Sequence, residues 1–142
     1  MTNVKNTSFQ NRVVIVTGGA GGIGRCLVET FAQAGAHVAF IDTDAASGMA
    51  LQTLLEAMGR QVFFYQGDIA NPETLAQFAE TLQQRYPGVD VLVNNACLSR
   101  RGILSGCNAA DFQYVQQVGV TAPYLLASML LDRKSTRLNS SH

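Results

Sequence analysis

The sequence predicts an α/β domain in which a parallel sheet, in the strand order 3-2-1-4, is wound on both faces by helices. Three observations predict it. Short β-branched runs alternate with longer amphipathic stretches along the 142 residues, and that alternation calls for right-handed crossovers between parallel strands. The strand-like runs are continuously apolar, as in strands covered on both faces. A glycine-rich turn separates the first run from the first amphipathic stretch.

The elements follow in order. Residues 12–17 (RVVIVT) read as the first strand and residues 18–24 as the glycine turn. Residues 23–34 have helical spacing, which places Ile23, Leu27, Phe31 and Ala34 along one face, and Gly35 ends that helix. Residues 37–41 (HVAFI) form the second strand, closed by Asp42, and residues 45–58 a second helix followed by Gly59. The third strand is 61–66 (QVFFYQ). Asn71 is placed to cap a third helix with Pro72 in its first turn. That helix runs to about residue 86, where Pro87-Gly88 breaks it. Residues 89–94 (VDVLVN) form a buried fourth strand, a loop spans 95–108, and a last helix covers 109–131.

Composition narrows the function classes. The chain is 47% hydrophobic and 14% charged, with equal numbers of acidic and basic residues; a disordered chain is more polar. The charge balance gives no footprint for nucleic acid, and no apolar run reaches the length of a membrane span. Residues 1–11 lack the apolar stretch of a secretory signal, which predicts a cytoplasmic protein. The cysteines, Cys26, Cys97 and Cys107, are odd in number and irregularly spaced. They read as free, mostly buried thiols, with no disulfide framework and no metal cluster.

Gly18, Gly22 and Gly24 stand between a strand and a helix, the setting in which a glycine pattern carries weight. Glycine leaves the backbone open to a pyrophosphate, and the free N–H groups at a helix start face the anion, aided by the helix dipole. This is the Rossmann arrangement, half of a doubly wound sheet plus one strand. No Gly-Lys-Ser/Thr follows, so the turn is not a P-loop. Asp42, at the end of the second strand, is placed to accept from both hydroxyls of an adenosine ribose and to repel a 2′-phosphate. Arg25 follows the last glycine and is expected to point along its helix. The cofactor predicted is therefore NAD rather than NADP. Asp42 also fits a plain strand-end or capping role, which Asp44 could fill instead.

The spelling TGGAGGIG (residues 17–24) resembles the TGxxxGIG signature of the short-chain dehydrogenase/reductase family. Gly67-Asp68-Ile69 resembles the family's acidic residue after the third strand, and Asn94-Asn95-Ala96-Cys97 its NNAG motif. The resemblance covers about residues 11–131. It implies a cofactor site built from Thr17, Gly18, Gly22, Ile23, Gly24, Asp42, Asp68, Ile69, Asn94 and Ala96. In it Asp68 accepts from the adenine amino group, the Ile69 N–H donates to the ring, and Asn94 ties strand ends at the cofactor floor. Asp68 can equally be a turn aspartate and Asn94 a structural asparagine. Two departures stand out: Cys97 replaces a glycine, and Gly119 occupies the place of the family's helix asparagine.

The reaction implied is hydride transfer between nicotinamide and an alcohol or ketone. It uses a serine and a Tyr-x-x-x-Lys pair on one helix face. Four residues after Tyr65, Tyr86, Tyr114 and Tyr124 stand Ile69, Asp90, Val118 and Ser128, and the only lysines are Lys5 and Lys134. No catalytic residue is therefore identified, and the chain reads as an inactive N-terminal part, residues 1–131, of a homo-oligomeric enzyme with a small-molecule substrate. A non-catalytic NAD-binding relative is the alternative; a nucleotide-sugar epimerase or a methyltransferase fits the motifs less well. Residues 132–142 (DRKSTRLNSSH) resemble a translated sequencing adapter and are read as a non-native tail. Without them the charge balance is mildly acidic. The bare fourth strand leads to an expectation of poor solubility or partial folding.

Overall fold

The computed structural model describes residues 8–97 and 108–140, with side chains described as far as Leu131. The polar start (residues 1–7), most of the 95–108 loop and Cys107 lie outside the described residues. Four strands, β1 (Val13–Thr17), β2 (His37–Asp42), β3 (Gln61–Gln66) and β4 (Val91–Asn94), form one sheet in the order β3-β2-β1-β4. All three pairings are parallel, with Val13 opposite His37, Val14 opposite Val91 and His37 opposite Gln61. The order matches the expected 3-2-1-4.

The helices α1 (Gly22–Gln33), α2 (Ala45–Ala57) and α3 (Pro72–Arg85) fill the crossovers, and α4 (Ala109–Gln116) and α5 (Ala122–Ser140) follow β4. Successive strand side chains point to opposite faces, and β1 and β2 show the consequence. Val14, Val16, Val38 and Phe40 pack with Val28 and Ala32 of α1 and Leu51 and Leu55 of α2. Val13, Ile15, Ala39 and Ile41 pack on the other face with Leu75, Phe78 and Leu82 of α3 and Val118, Leu126 and Leu130 of the last helices. Each large side chain buried this way contributes roughly 1.5–3 kcal/mol.

Several expectations need correction. The buried face of α1 is Gly24, Val28 and Ala32, while Ile23 is 75% exposed. Gly24 seats the helix on the turn, and that contact rather than the apolar spacing sets its rotation. The fourth strand is half-buried because β4 lies at the sheet edge, with no strand beyond it among the described residues. Cys26 and Cys97 are free but exposed; Cys26 sits on the outer side of α1. The last helix does not stop at Leu131 but runs to Ser140, since no glycine or proline in that stretch halts it.

Nor is that rod a uniform α-helix. Between α4 and α5, Gln117–Thr121 forms a π-helical turn in which the Ala122 N–H donates to the Gln117 carbonyl. The cause stands next in sequence. Pro123 offers no N–H and its ring crowds the carbonyl four residues back, on Gly119, so the backbone widens there. Gly119 is not a close-packing position, for a Cβ there meets no described atom within 4 Å.

Two glycines should therefore respond oppositely to alanine. At Gly48 of α2 a Cβ runs into the Phe64 ring, which is itself held against Phe40 at 5.1 Å between centroids. Gly48→Ala is expected to lower stability by about 1–3 kcal/mol. Gly119→Ala is expected to raise it by about 0.5–1 kcal/mol through helix propensity. Urea unfolding of the two variants checks the signs; a matching sign would contradict the packing described.

Candidate functional site

Ligands in sheets of this kind bind beyond the carboxyl ends of the strands, and a cleft of about 410 Å³ opens there. Its floor begins at Thr17, the last residue of β1 and 1% exposed. The Thr17 hydroxyl oxygen accepts from the backbone N–H groups of Asn95 (3.1 Å) and Ala96 (3.0 Å). The Asn95 side-chain amide donates to the Gly18 carbonyl at 3.1 Å. These bonds bind the end of β4 to the start of the glycine turn.

The turn is shaped by backbone demands that side chains cannot meet. Gly18 has φ 68° and Gly22 φ 57°, in the left-handed region that favours glycine. A Cβ on Gly24 would overlap the Gly18 carbonyl. The helix start therefore sits directly on the strand end.

The N-termini of four helices differ in one respect. Asp44 caps α2 by accepting from the Ser47 N–H, Asn71 caps α3 by accepting from Glu73 and Thr74, and Asn108 caps α4 by accepting from Asp111. The N-cap of α1 is Gly21, with no side chain to accept, and its first turn holds no acidic residue. The first N–H groups of a helix lack internal partners, so those of α1 stand at the cleft with no side-chain cap among the described residues and carry the positive end of the helix dipole.

Across from them lies Asp42. One carboxylate oxygen accepts from the Ala20 N–H at 3.0 Å and the other from the Asp44 N–H at 3.0 Å. Since Asp44 caps α2, Asp42 is not a helix cap, and its fixed, half-buried carboxylate lines the cleft. The cap bonds to Asp44 from Ser47 hold its carboxyl below the usual value. Arg25 pairs with Glu29 along α1 at 2.9 Å. Among the described residues no lysine or arginine lines the cleft.

Of the residues singled out by sequence, Gly18, Ile23, Asp42, Asp68, Ile69 and Ala96 line the cleft. Thr17 lies beneath it, and Gly22 and Gly24 shape the turn behind it. Asn94 pairs with Thr17 in the sheet register, but it is exposed and outside the cleft. The amide that ties the strand ends belongs to Asn95. Cys97 lines the cleft with its side chain exposed. Sequence reasoning passed over Tyr114, which also lines the cleft and whose hydroxyl donates to Asp68 at 2.6 Å. Its position one helical turn before buried Val118 was the available signal.

The Thr17 hub yields a direct test. Thr17→Val keeps the shape but leaves the Ala96 N–H without its acceptor, at an expected cost of about 1–3 kcal/mol. Thr17→Ser should retain most of the stability. Urea midpoints for the pair check this; equal losses would show that packing, not the hydroxyl, matters.

Known proteins share this arrangement. The sequence model of the family described as short chain dehydrogenase matches residues 12–137. A Thermotoga maritima protein described as an oxidoreductase is 31% identical over 126 residues, covering 89% of this chain and 49% of that protein. A probable galactose dehydrogenase of Rhizobium meliloti is 43% identical over 97 residues, 68% of this chain and 38% of the other. The crystal structure of L-sorbose reductase from Gluconobacter frateurii, complexed with NADPH and L-sorbose, superposes with a TM-score of 0.86 at 26% identity. That match covers 93% of this chain and 51% of that one. The chain thus spans about half the length of the curated relatives it matches. No described helix is long and apolar enough to cross a membrane.

Proposed function

The chain belongs to the short-chain dehydrogenase family, and on that premise we propose that it forms the NAD-binding part of an oxidoreductase acting on a small alcohol or ketone. One observation carries the reading: the uncapped start of α1 faces the fixed carboxylate of Asp42 across a single cleft. The fit is specific. A turn that rejects a Cβ at Gly24 and offers uncapped N–H donors suits a pyrophosphate. An acceptor-only carboxylate beside it suits a ribose diol. When bound, a nicotinamide dinucleotide supplies the hydride acceptor or donor. This chain's residues bind and orient it: Gly18–Gly24 at the phosphates, Asp42 at the ribose, Asp68 and the Ile69 N–H at the base.

The L-sorbose reductase structure is a complex with NADPH. For this chain we favour NAD, because Asp42 places a negative charge where a 2′-phosphate would sit and no described basic side chain in the cleft offsets it. A second reading, a binding protein without turnover, is favoured by Gly119, which brings no amide to the helix beside the cleft.

Calorimetry on the purified chain tests the proposal. NAD should release heat of binding, and NADP should bind at least about tenfold more weakly. Asp42→Asn keeps an oxygen for the Ala20 N–H but removes the charge, so it should narrow that gap. No heat with either dinucleotide would sink the reading.

A further inference from the structure

The cleft has a second carboxylate, and its surroundings are not those of an idle turn residue. Asp68 follows β3 and is half-buried at the cleft wall. One of its oxygens accepts from the Ala70 N–H at 2.9 Å, closing a tight local turn. The other accepts from the Tyr114 hydroxyl at 2.6 Å, a short bond of the charge-assisted kind. Tyr114 belongs to α4, 46 positions further along the chain, and its ring packs on the core face that includes Phe78 and Val118. The carboxylate is thus clamped between its own backbone and a phenol held by a different element.

We propose that Tyr114 is a positioning residue that fixes Asp68 as a hydrogen-bond acceptor at the base end of the cleft, and so selects a base bearing an exocyclic amino group. The inference rests on the dinucleotide reading above. An ionised carboxylate offers about four acceptor sites, and the bonds from Ala70 and Tyr114 occupy two of them. Those remaining can only accept. An amino group presents hydrogens to them, whereas a carbonyl at the same place on the base presents lone pairs and is repelled. The phenol sets the direction of the acceptor. Without it, Asp68 keeps only its local turn bond and is free to rotate toward water, taking the preference with it.

The test compares NAD with nicotinamide hypoxanthine dinucleotide, whose base carries a carbonyl in place of the amino group, by calorimetry on the full chain and on Tyr114→Phe. The unaltered chain should prefer NAD by about tenfold, the scale of a hydrogen bond to a charged group. In Tyr114→Phe the affinity for NAD should fall severalfold while that for the hypoxanthine analogue stays nearly constant, so the preference shrinks. A purely structural tyrosine would weaken both dinucleotides equally and leave their ratio unmoved; that result overturns the proposal. So does loss of cooperative unfolding in Tyr114→Phe, which would make the hydroxyl a folding determinant. If neither dinucleotide binds the unaltered chain, the dinucleotide reading falls as well. Binding of both with an unmoved ratio removes the role of Tyr114 alone.

Discussion

The contact between Gly24 and the carbonyl of Gly18 is the constraint on which the site depends. It allows no side chain, so α1 starts directly on the end of β1. From that one approach follow the rotation of α1, the exposure of Ile23 at the cleft and the direction of the first helix N–H groups. The Asn95 amide reinforces it by donating to the same Gly18 carbonyl. The Thr17 hydroxyl joins the backbone beyond β4 to the same corner. Two segments far apart in sequence, residues 17–24 and 95–96, thus converge on a few backbone atoms, and the opening they leave is the mouth of the cleft.

Capping shows how the fold separates structural from functional helix ends. The chain satisfies α2, α3 and α4 with its own side chains, Asp44, Asn71 and Asn108. Each such cap is worth about 1 kcal/mol, a contribution α1 forgoes at Gly21. A glycine cap is tolerated because water reaches the exposed donors, and it leaves them available to an anion. The acidic residues nearby are held away from those donors. Asp42 is tied to Ala20 and Asp44, and Asp44 to Ser47. Neither carboxylate fills the place that an anionic ligand would take.

What the sequence made legible and what it hid divide along a physical line. The strands, the glycine turn, Asn71 as a cap and Gly35 as a helix end are decided within a few residues, and local pattern found them. The buried face of α1 was misread because apolar spacing favours Ile23 and Leu27, whereas the seat at Gly24 is set by the Gly18 carbonyl. Asn94 was preferred to Asn95 because the motif contains both, and only the parallel register of β4 on β1 decides which amide turns back over the glycine turn. Tyr114 reaches Asp68 across 46 positions, a pairing no window of sequence displays. The π-helical turn at Gln117–Thr121 had a local cue in Pro123, but apolar periodicity alone ran through it.

The same geometry explains why recognition is concentrated in this part of the fold. In a parallel sheet every strand delivers its carboxyl end to one edge. Here β1 brings the glycine turn, β2 brings Asp42, β3 brings Asp68 and β4 brings Asn95 and Ala96, all to that edge. Consecutive βα units therefore assemble a continuous row of backbone donors and carboxylate acceptors without any long excursion of the chain. The α4–α5 rod crosses behind this row, and its π-helical turn falls where Val118 enters both the core and the cleft wall. Widening the helix there lets Pro123 be accommodated without breaking the rod, so Tyr114, one turn earlier, stays in register with Asp68. The position of a proline in one helix thereby bears on how a carboxylate on a distant strand end is held.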